Sequence, residues 1–194
     1  FPQKATQMLY RIYEGNGDAL YLLGIEDNGE IGNVSKKGIL ETVECLKEIS
    51  KIIDSVNFPV ILVGGKDDKE KSEKAILLSD DLSRVFNACG TYNLEQSASI
   101  LEQSKCVITP DTGMMHIASA LNKPVISIWG NTVPEFGMYP YIPQAKELVH
   151  IVEVKELNCR PCSKIGYEKC PKQHFNCIKN IDIQEVKRIV NRYI

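Results

Sequence analysis

Aliphatic runs and helical stripes alternate along most of this chain. Val60-Ile61-Leu62-Val63 is an uninterrupted apolar run, the pattern of a parallel strand covered on both faces. Cys106-Val107-Ile108-Thr109, Val125–Trp129 and Leu148–Val154 read the same way, and Arg84–Ala88 adds one more strand-like segment before Gly90. Between these runs the apolar spacing becomes helical. Over residues 38–56, Ile39, Val43, Leu46, Ile49 and Ile53 share one face, with Glu41, Glu44, Lys47, Glu48 and Lys51 off it. Lys66–Leu78 predicts a charged, exposed helix. Asn93 is the expected N-cap of a helix over Leu94–Ser104 that turns Leu94, Ala98 and Leu101 inward. Met114–Leu121 predicts a short helix that Lys123-Pro124 stops. Asp182 with Glu185 resembles a capping box and opens an amphipathic helix over Ile183–Tyr193. Strand and helix in strict alternation predict an α/β domain built on a parallel sheet with helices on both faces.

The beginning of the chain is less regular. Ala5–Tyr13 and Asp18–Leu23 are short helical candidates separated by Gly15-Asn16-Gly17. A doubly wound domain calls for a strand before the helix over residues 38–56, yet only Ile31 precedes Gly32. The expectation is a very short strand there, or residues missing near Glu30. A first residue other than Met reads as a fragment or a trimmed chain.

Composition narrows the function classes. With 43% hydrophobic and 25% charged residues the 194-residue chain has the make-up of an ordinary globular protein. A formal net charge of −2 argues against broad capture of nucleic acid. No apolar run approaches the roughly 20 residues needed to span a bilayer. Phe1-Pro2-Gln3-Lys4 does not read as a signal peptide, so the cytoplasm is the expected compartment.

The candidate chemistry gathers where strands give way to loops. Asp111-Thr112-Gly113-Met114-Met115-His116 joins a strand's C-terminal end to a helix N-terminus, where unpaired amides and the helix dipole favour an anion. Thr112 and the following amides, Met114 among them, can donate to a diphosphate. Asp111 can accept from sugar hydroxyls, Gly113 permits close approach, and His116 can touch a phosphate or fix the loop. On spacing alone, a structural turn with a satisfied histidine is slightly the better explanation of these residues. Gly130-Asn131-Thr132-Val133-Pro134 follows the next strand and should lie beside the first loop, which makes Gly130 and Thr132 candidates too. Lys36 and Lys37 can reach a phosphate or simply be solvated. Asp68, just after Gly64-Gly65, can bind a ribose hydroxyl or complement a helix dipole.

Seven cysteines are present. Cys45, Cys89 and Cys106 sit among apolar residues and read as buried thiols. Cys159, Cys162, Cys170 and Cys177 crowd together with His174 between the last two. Their spacing suits a structural zinc site, two disulfides or a loop of reduced thiols, and these alternatives stay open. Arg160, Lys164, Lys169 and Lys172 make this segment basic, with solvated charge the expected role.

The run D-T-G-M-M-H-I-A-S-A-L-x-x-P-V-x-S-I-W-G-N-T-x-P over residues 111–134 resembles the C-terminal half of glycosyltransferase family 9, the ADP-heptose:lipopolysaccharide heptosyltransferases. The likeness extends over about residues 58–180. It implies the C-terminal, Rossmann-like domain of a GT-B fold and inverting, metal-independent transfer with no cofactor required. The donor would be an ADP-sugar and the acceptor a lipid-linked lipopolysaccharide core, with peripheral contact at the inner face of the cytoplasmic membrane. By position, Asp111, Thr112, Gly113, Met114 and His116 match the donor motif, Gly32 with Lys36 or Lys37 the diphosphate loop, and Asp68 the nucleoside contact. The catalytic base is expected in an N-terminal domain outside this chain. The expected layout is a helical connector at 1–30, the nucleotide-sugar domain at 31–157, the Cys-rich segment at 158–180 and a final helix at 181–194. A non-catalytic nucleotide-sugar-binding module and a zinc-organised interaction domain are the competing functions.

Overall fold

The computed structural model describes residues 20–23, 46–164, 166–167 and 170–194. Six strands form one sheet: β1 (Leu20–Leu23), β2 (Val60–Val63), β3 (Val85–Asn87), β4 (Cys106–Thr109), β5 (Val125–Trp129) and β6 (Val149–Glu153). Their order across the sheet is β3-β2-β1-β4-β5-β6, and every pairing is parallel. β1 stands at the centre, with Leu20 opposite both Val60 and Cys106. The missing strand is therefore Leu20–Leu23, where a helix was expected. Part of the stretch read as a connector belongs to the sheet. Four residues without polar alternation carry no usable period, and the two flanking strands decide the conformation. Ala5–Tyr13, Ile31, Gly32, Lys36, Lys37, Cys45 and Lys169 lie outside the described residues.

Alternate side chains of each strand feed two separate cores. Val60, Leu62, Cys106, Ile108 and Ile126 face Ile52 and Ile53 of the first described helix (α1, residues 46–54), Val56 just after it, and Val186, Ile189 and Val190 of the final one. Ile61, Val63, Val107, Val125 and Trp129 face the opposite layer. That layer holds α3 (Leu94–Glu102) and α4 (Gly113–Ala120), which contribute Ile100, Leu101, Met115 and Ala118. The 3₁₀ turn Lys66–Asp68 leads into α2 (Lys69–Leu77). The sheet is thus covered on both faces, as expected.

Two assignments, one inward and one outward, change. Leu94 is 63% exposed because it opens α3, and the buried positions are Ser97, Ile100 and Leu101. Asn93 accepts from the Gln96 amide while Gln96 bonds back to the Asn93 amide, which sets that rotation. Glu48, expected off the apolar face of α1, is buried and pairs with Lys51 at 2.6 Å.

The chain closes with α5 (Asn176–Lys179) and α6 (Ile183–Val190). Asp182 Oδ1 accepts from the amides of Gln184 at 2.9 Å and Glu185 at 3.2 Å. Since α6 seals one of the two cores, losing this cap should reach global stability. Asp182→Ala should cost about 1 kcal/mol in urea unfolding, and Asp182→Asn should restore most of it.

Candidate functional site

Parallel strands send all their C-terminal ends to one edge, and there the order reverses between β1 and β4. Such a switch point opens a crevice at the strand ends. The turn after β4 lies at this point. Thr109, the last residue of β4, is buried and donates its hydroxyl to the Pro110 carbonyl at 2.9 Å. The Thr112 hydroxyl, 3.1 Å from Thr109 Oγ1, supplies the proton of their shared bond. Its proton is therefore engaged beneath the turn.

Thr112 is the N-cap of α4 in extended conformation, yet its side chain caps nothing. The Met115 amide closes on the Thr112 carbonyl at 3.0 Å, whereas the amides of Gly113 and Met114 come too early for an acceptor within the helix. These two donors stand at the positive end of the helix dipole. Among the described residues a Cβ on Gly113 would meet nothing within 4 Å, and its φ is not positive. Neither packing nor backbone conformation requires glycine there. Open space in front of two unpaired amides is the local form of an anion cradle.

Asp111 and His116 flank this cradle. Asp111 is half-buried, and burial pushes its carboxyl above the ordinary range, while the nearby His116 partly offsets this. His116 is exposed on the first turn of α4. Met114 packs partly against the core below and presents its backbone.

The second loop, Gly130-Asn131-Thr132, leaves β5, which pairs with β4 through Thr109 opposite Ser127. The two loops therefore neighbour each other along one edge. A Cβ on Gly130 would lie 2.5 Å from Ile178 Cδ1, so glycine here answers a packing demand. The Asn131 carbonyl accepts from the Cys162 amide at 2.8 Å, and Asn131 Nδ2 donates to the Tyr167 carbonyl at 2.7 Å. Thr132, itself buried, offers its carbonyl to Arg160 Nη2 at 2.9 Å. The Cys-rich segment thus braces the second loop. Arg160, expected as solvated charge, has a side chain only 6% exposed. Its role depends on groups far along the chain, a signal absent from the local pattern. Lys164 and Lys172 are exposed as expected.

Asp68 is 3% exposed and turned back on its own loop, where Oδ2 accepts from the Gly65 amide at 2.8 Å. A Cβ on Gly64 would lie 2.7 Å from that oxygen. The carboxylate therefore locks the Gly64-Gly65 turn. Lys36 and Lys37 lie outside the described residues, so the structure gathers Asp111, Thr112, Gly113, Met114, His116, Gly130 and Thr132.

Cys159, Cys162, Cys170 and Cys177 are all free thiols, as are the buried Cys89 and Cys106. Among the described residues no group of three or more His, Cys, Asp or Glu could hold a metal ion. The thiols differ in chemistry. Burial pushes Cys89 and Cys177 up to about 11 and Cys106 up to about 12. Burial acts on Cys170 in the same sense, but the backbone amides of Phe175, His174, Lys172 and Gln173 bond its sulfur and bring the thiol below its ordinary value. Gln173 and Phe175 adopt φ of 63° and 55°, the left-handed turns that wrap the loop around this sulfur.

Fold and site together define a doubly wound α/β domain with an anion-seeking helix terminus at the switch point of its sheet. The family model of glycosyltransferase family 9 (heptosyltransferase) matches residues 44–173, and the chain belongs to that family. Lipopolysaccharide heptosyltransferase 2 of Salmonella typhimurium is 31% identical over 91 residues, 46% of this chain and 26% of that protein. The structure of E. coli ADP-heptose lps heptosyltransferase II superposes on 97% of this chain and 51% of its own length, with TM-score 0.61 and 18% identity. E. coli heptosyltransferase WaaC with ADP aligns over 92% of this chain and 44% of its own, with TM-score 0.51 and 20% identity. The chain thus spans about half the length of these solved structures. The GT-B-type parallel α/β fold is common to them.

Two outcomes follow from the titrating groups. Because the native state holds the Asp111 proton more tightly than the unfolded chain does, ionising Asp111 destabilises the fold. Stability should fall as pH rises from the ordinary aspartate value, about 3.9, through the raised native one. Asp111→Asn should therefore melt above the parent at neutral pH and no higher at about pH 3, as read by circular dichroism. Under native conditions at mildly alkaline pH, a thiol reagent should modify Cys170 first and Cys89 and Cys106 last. Peptide mass mapping checks the order, and Cys170→Ser should abolish the fast phase.

Proposed function

We propose that this chain is the donor-binding half of a glycosyltransferase that moves heptose from an ADP-linked donor to a lipopolysaccharide core acceptor. The observation that carries the reading is the cradle at Gly113, with two unpaired amides facing open space that neither packing nor backbone geometry explains. A diphosphate fits it by charge and by hydrogen-bonding chemistry. The family supports a nucleotide sugar, and one structural neighbour, E. coli heptosyltransferase WaaC with ADP, supports the adenine nucleotide.

In this reading the amides of Gly113 and Met114 hold the diphosphate. They stabilise the charge that develops on it as the glycosidic bond breaks. The Asp111 carboxylate accepts from sugar hydroxyls, and His116 stands by the phosphate. The second loop closes the other side of the donor. The base that activates the acceptor hydroxyl, and the acceptor cleft, belong to the part of the relatives' length beyond this chain. An acceptor anchored in lipid sets the reaction at the inner face of the cytoplasmic membrane. Among the described residues no helix is long and apolar enough to cross a membrane. The half-length match favours a second reading for this chain taken alone, in which it binds the donor without transferring it.

Calorimetry with ADP tests the proposal. The chain should bind ADP, and Asp111→Ala and His116→Ala should weaken binding; absence of ADP binding to the folded chain sinks the reading. Gly113→Ala is the sharper variant. Its methyl group meets nothing among the described residues, so helix propensity should raise stability by about 0.5–1 kcal/mol. The same methyl intrudes on the ligand's space and should lower ADP affinity. A variant both less stable and unaltered in ADP binding would contradict this account.

A further inference from the structure

Arg160 belongs to the Cys-rich segment, and the donor site as described makes no use of it. Its side chain is 6% exposed. Nη1 donates to the Val154 carbonyl at 2.7 Å, and Nη2 donates both to Glu153 Oε2 and to the Thr132 carbonyl at 2.9 Å. Among the described residues Nε is buried without a hydrogen-bond partner. A guanidinium that leaves one donor unsatisfied in a buried place is held there by what the other donors reach. Two of its three acceptors lie at the end of β6. The third is in the loop that leaves β5, beside the Asp111–Gly113 turn.

We infer that Arg160 is a positioning residue for the donor site, clamping the Gly130–Thr132 loop against the end of β6. The inference rests on the proposed donor-binding function. A staple that served only the fold could end at Glu153 and Val154, whose strand it already joins. The bond to the Thr132 carbonyl instead runs across to the site. The same segment grips the preceding residue twice, through the Cys162 amide and the Tyr167 carbonyl. Ile178 Cδ1 stands against Gly130. Each residue from Gly130 to Thr132 is therefore held by a residue between 160 and 178. Only a planar fork with several donors can serve two carbonyls and a carboxylate at once. A lysine ammonium keeps the charge and loses that geometry.

The test compares the parent chain with Arg160→Lys, Arg160→Gln and Asp182→Ala, reading ADP affinity by calorimetry and melting temperature in parallel. Asp182 bonds the amides of Gln184 and Glu185 in its own helix and reports what loss of stability alone does. Arg160→Lys should fold and bind ADP about tenfold more weakly, because a displaced loop misplaces its ligand contacts. Arg160→Gln should be weaker still, and Asp182→Ala should melt earlier with ADP affinity unchanged. Affinity within twofold of the parent in both Arg160 variants, or an equal loss in Asp182→Ala, overturns the clamp. Hydrogen exchange on the parent decides the matter should neither Arg160 variant fold. Saturating ADP should then slow exchange of the Cys162 amide, which bonds the loop from behind, and an unaffected Cys162 amide overturns the inference. Failure of the parent to bind ADP removes the donor-binding reading and the clamp together. Binding by the parent with unaltered variants removes the clamp alone.

Discussion

Parallel pairing is the constraint from which the rest of this molecule follows. Six strands running one way put every strand's C-terminal end on one edge, and the connections between them must cross the faces of the sheet. The crossing helices bury both faces, which is why the strands are apolar on alternate and intervening positions alike. The same geometry aims the N-terminus of each following helix at the edge where the strands end. Amides without acceptors therefore accumulate there as a by-product of the fold. At the turn after β4 nothing among the described residues satisfies two of them, which makes this helix terminus the candidate site.

The two loops of the site are built by different means. The first is self-contained, with its hydroxyls tied to one another beneath the turn and its glycine open to solvent. The second holds its shape only by contact with a segment that follows in the chain. Backbone amide, backbone carbonyl and a buried guanidinium from residues 160–167 all converge on Asn131 and Thr132. The pairing of β5 with β6 brings this about, since the chain leaving β6 returns directly behind the loop leaving β5. Rigidity is thus imported into the second loop, and a segment without secondary structure of its own becomes part of the site's framework.

The sheet and the first loop were legible in the sequence because both depend on local pattern. Val60–Val63 and Cys106–Thr109 are apolar at nearly every position, and glycine or proline punctuates the end of each. Leu20–Leu23 was not legible as a strand, because four residues of leucine and tyrosine suit either period and only the flanking strands choose between them. Asp68 reads as a nucleoside ligand by its place after two glycines, and the bond from the Gly65 amide to its Oδ2, which locks that turn, could not be read from the local pattern. Arg160 was hidden for the opposite reason. Nothing in Cys159-Arg160-Pro161-Cys162 names a partner, and the groups it serves come from two other places in the chain.

Asp111 shows how stability and site chemistry are traded at this edge. A carboxylate close to a helix N-terminus usually gains from the dipole, yet burial outweighs that gain here and holds the carboxyl above its ordinary range. The fold would be better served by a neutral residue. What remains is a strong acceptor, short of partners in the protein, beside two unpaired donors. Donors for a phosphate next to an acceptor for hydroxyls is the complement of a sugar attached to a phosphate. The amides alone would take any anion of suitable size. Under the proposed function Asp111 is the group that would distinguish a phosphate carrying a polyol, so a side chain whose ionisation weakens the fold would also give the cradle its selectivity.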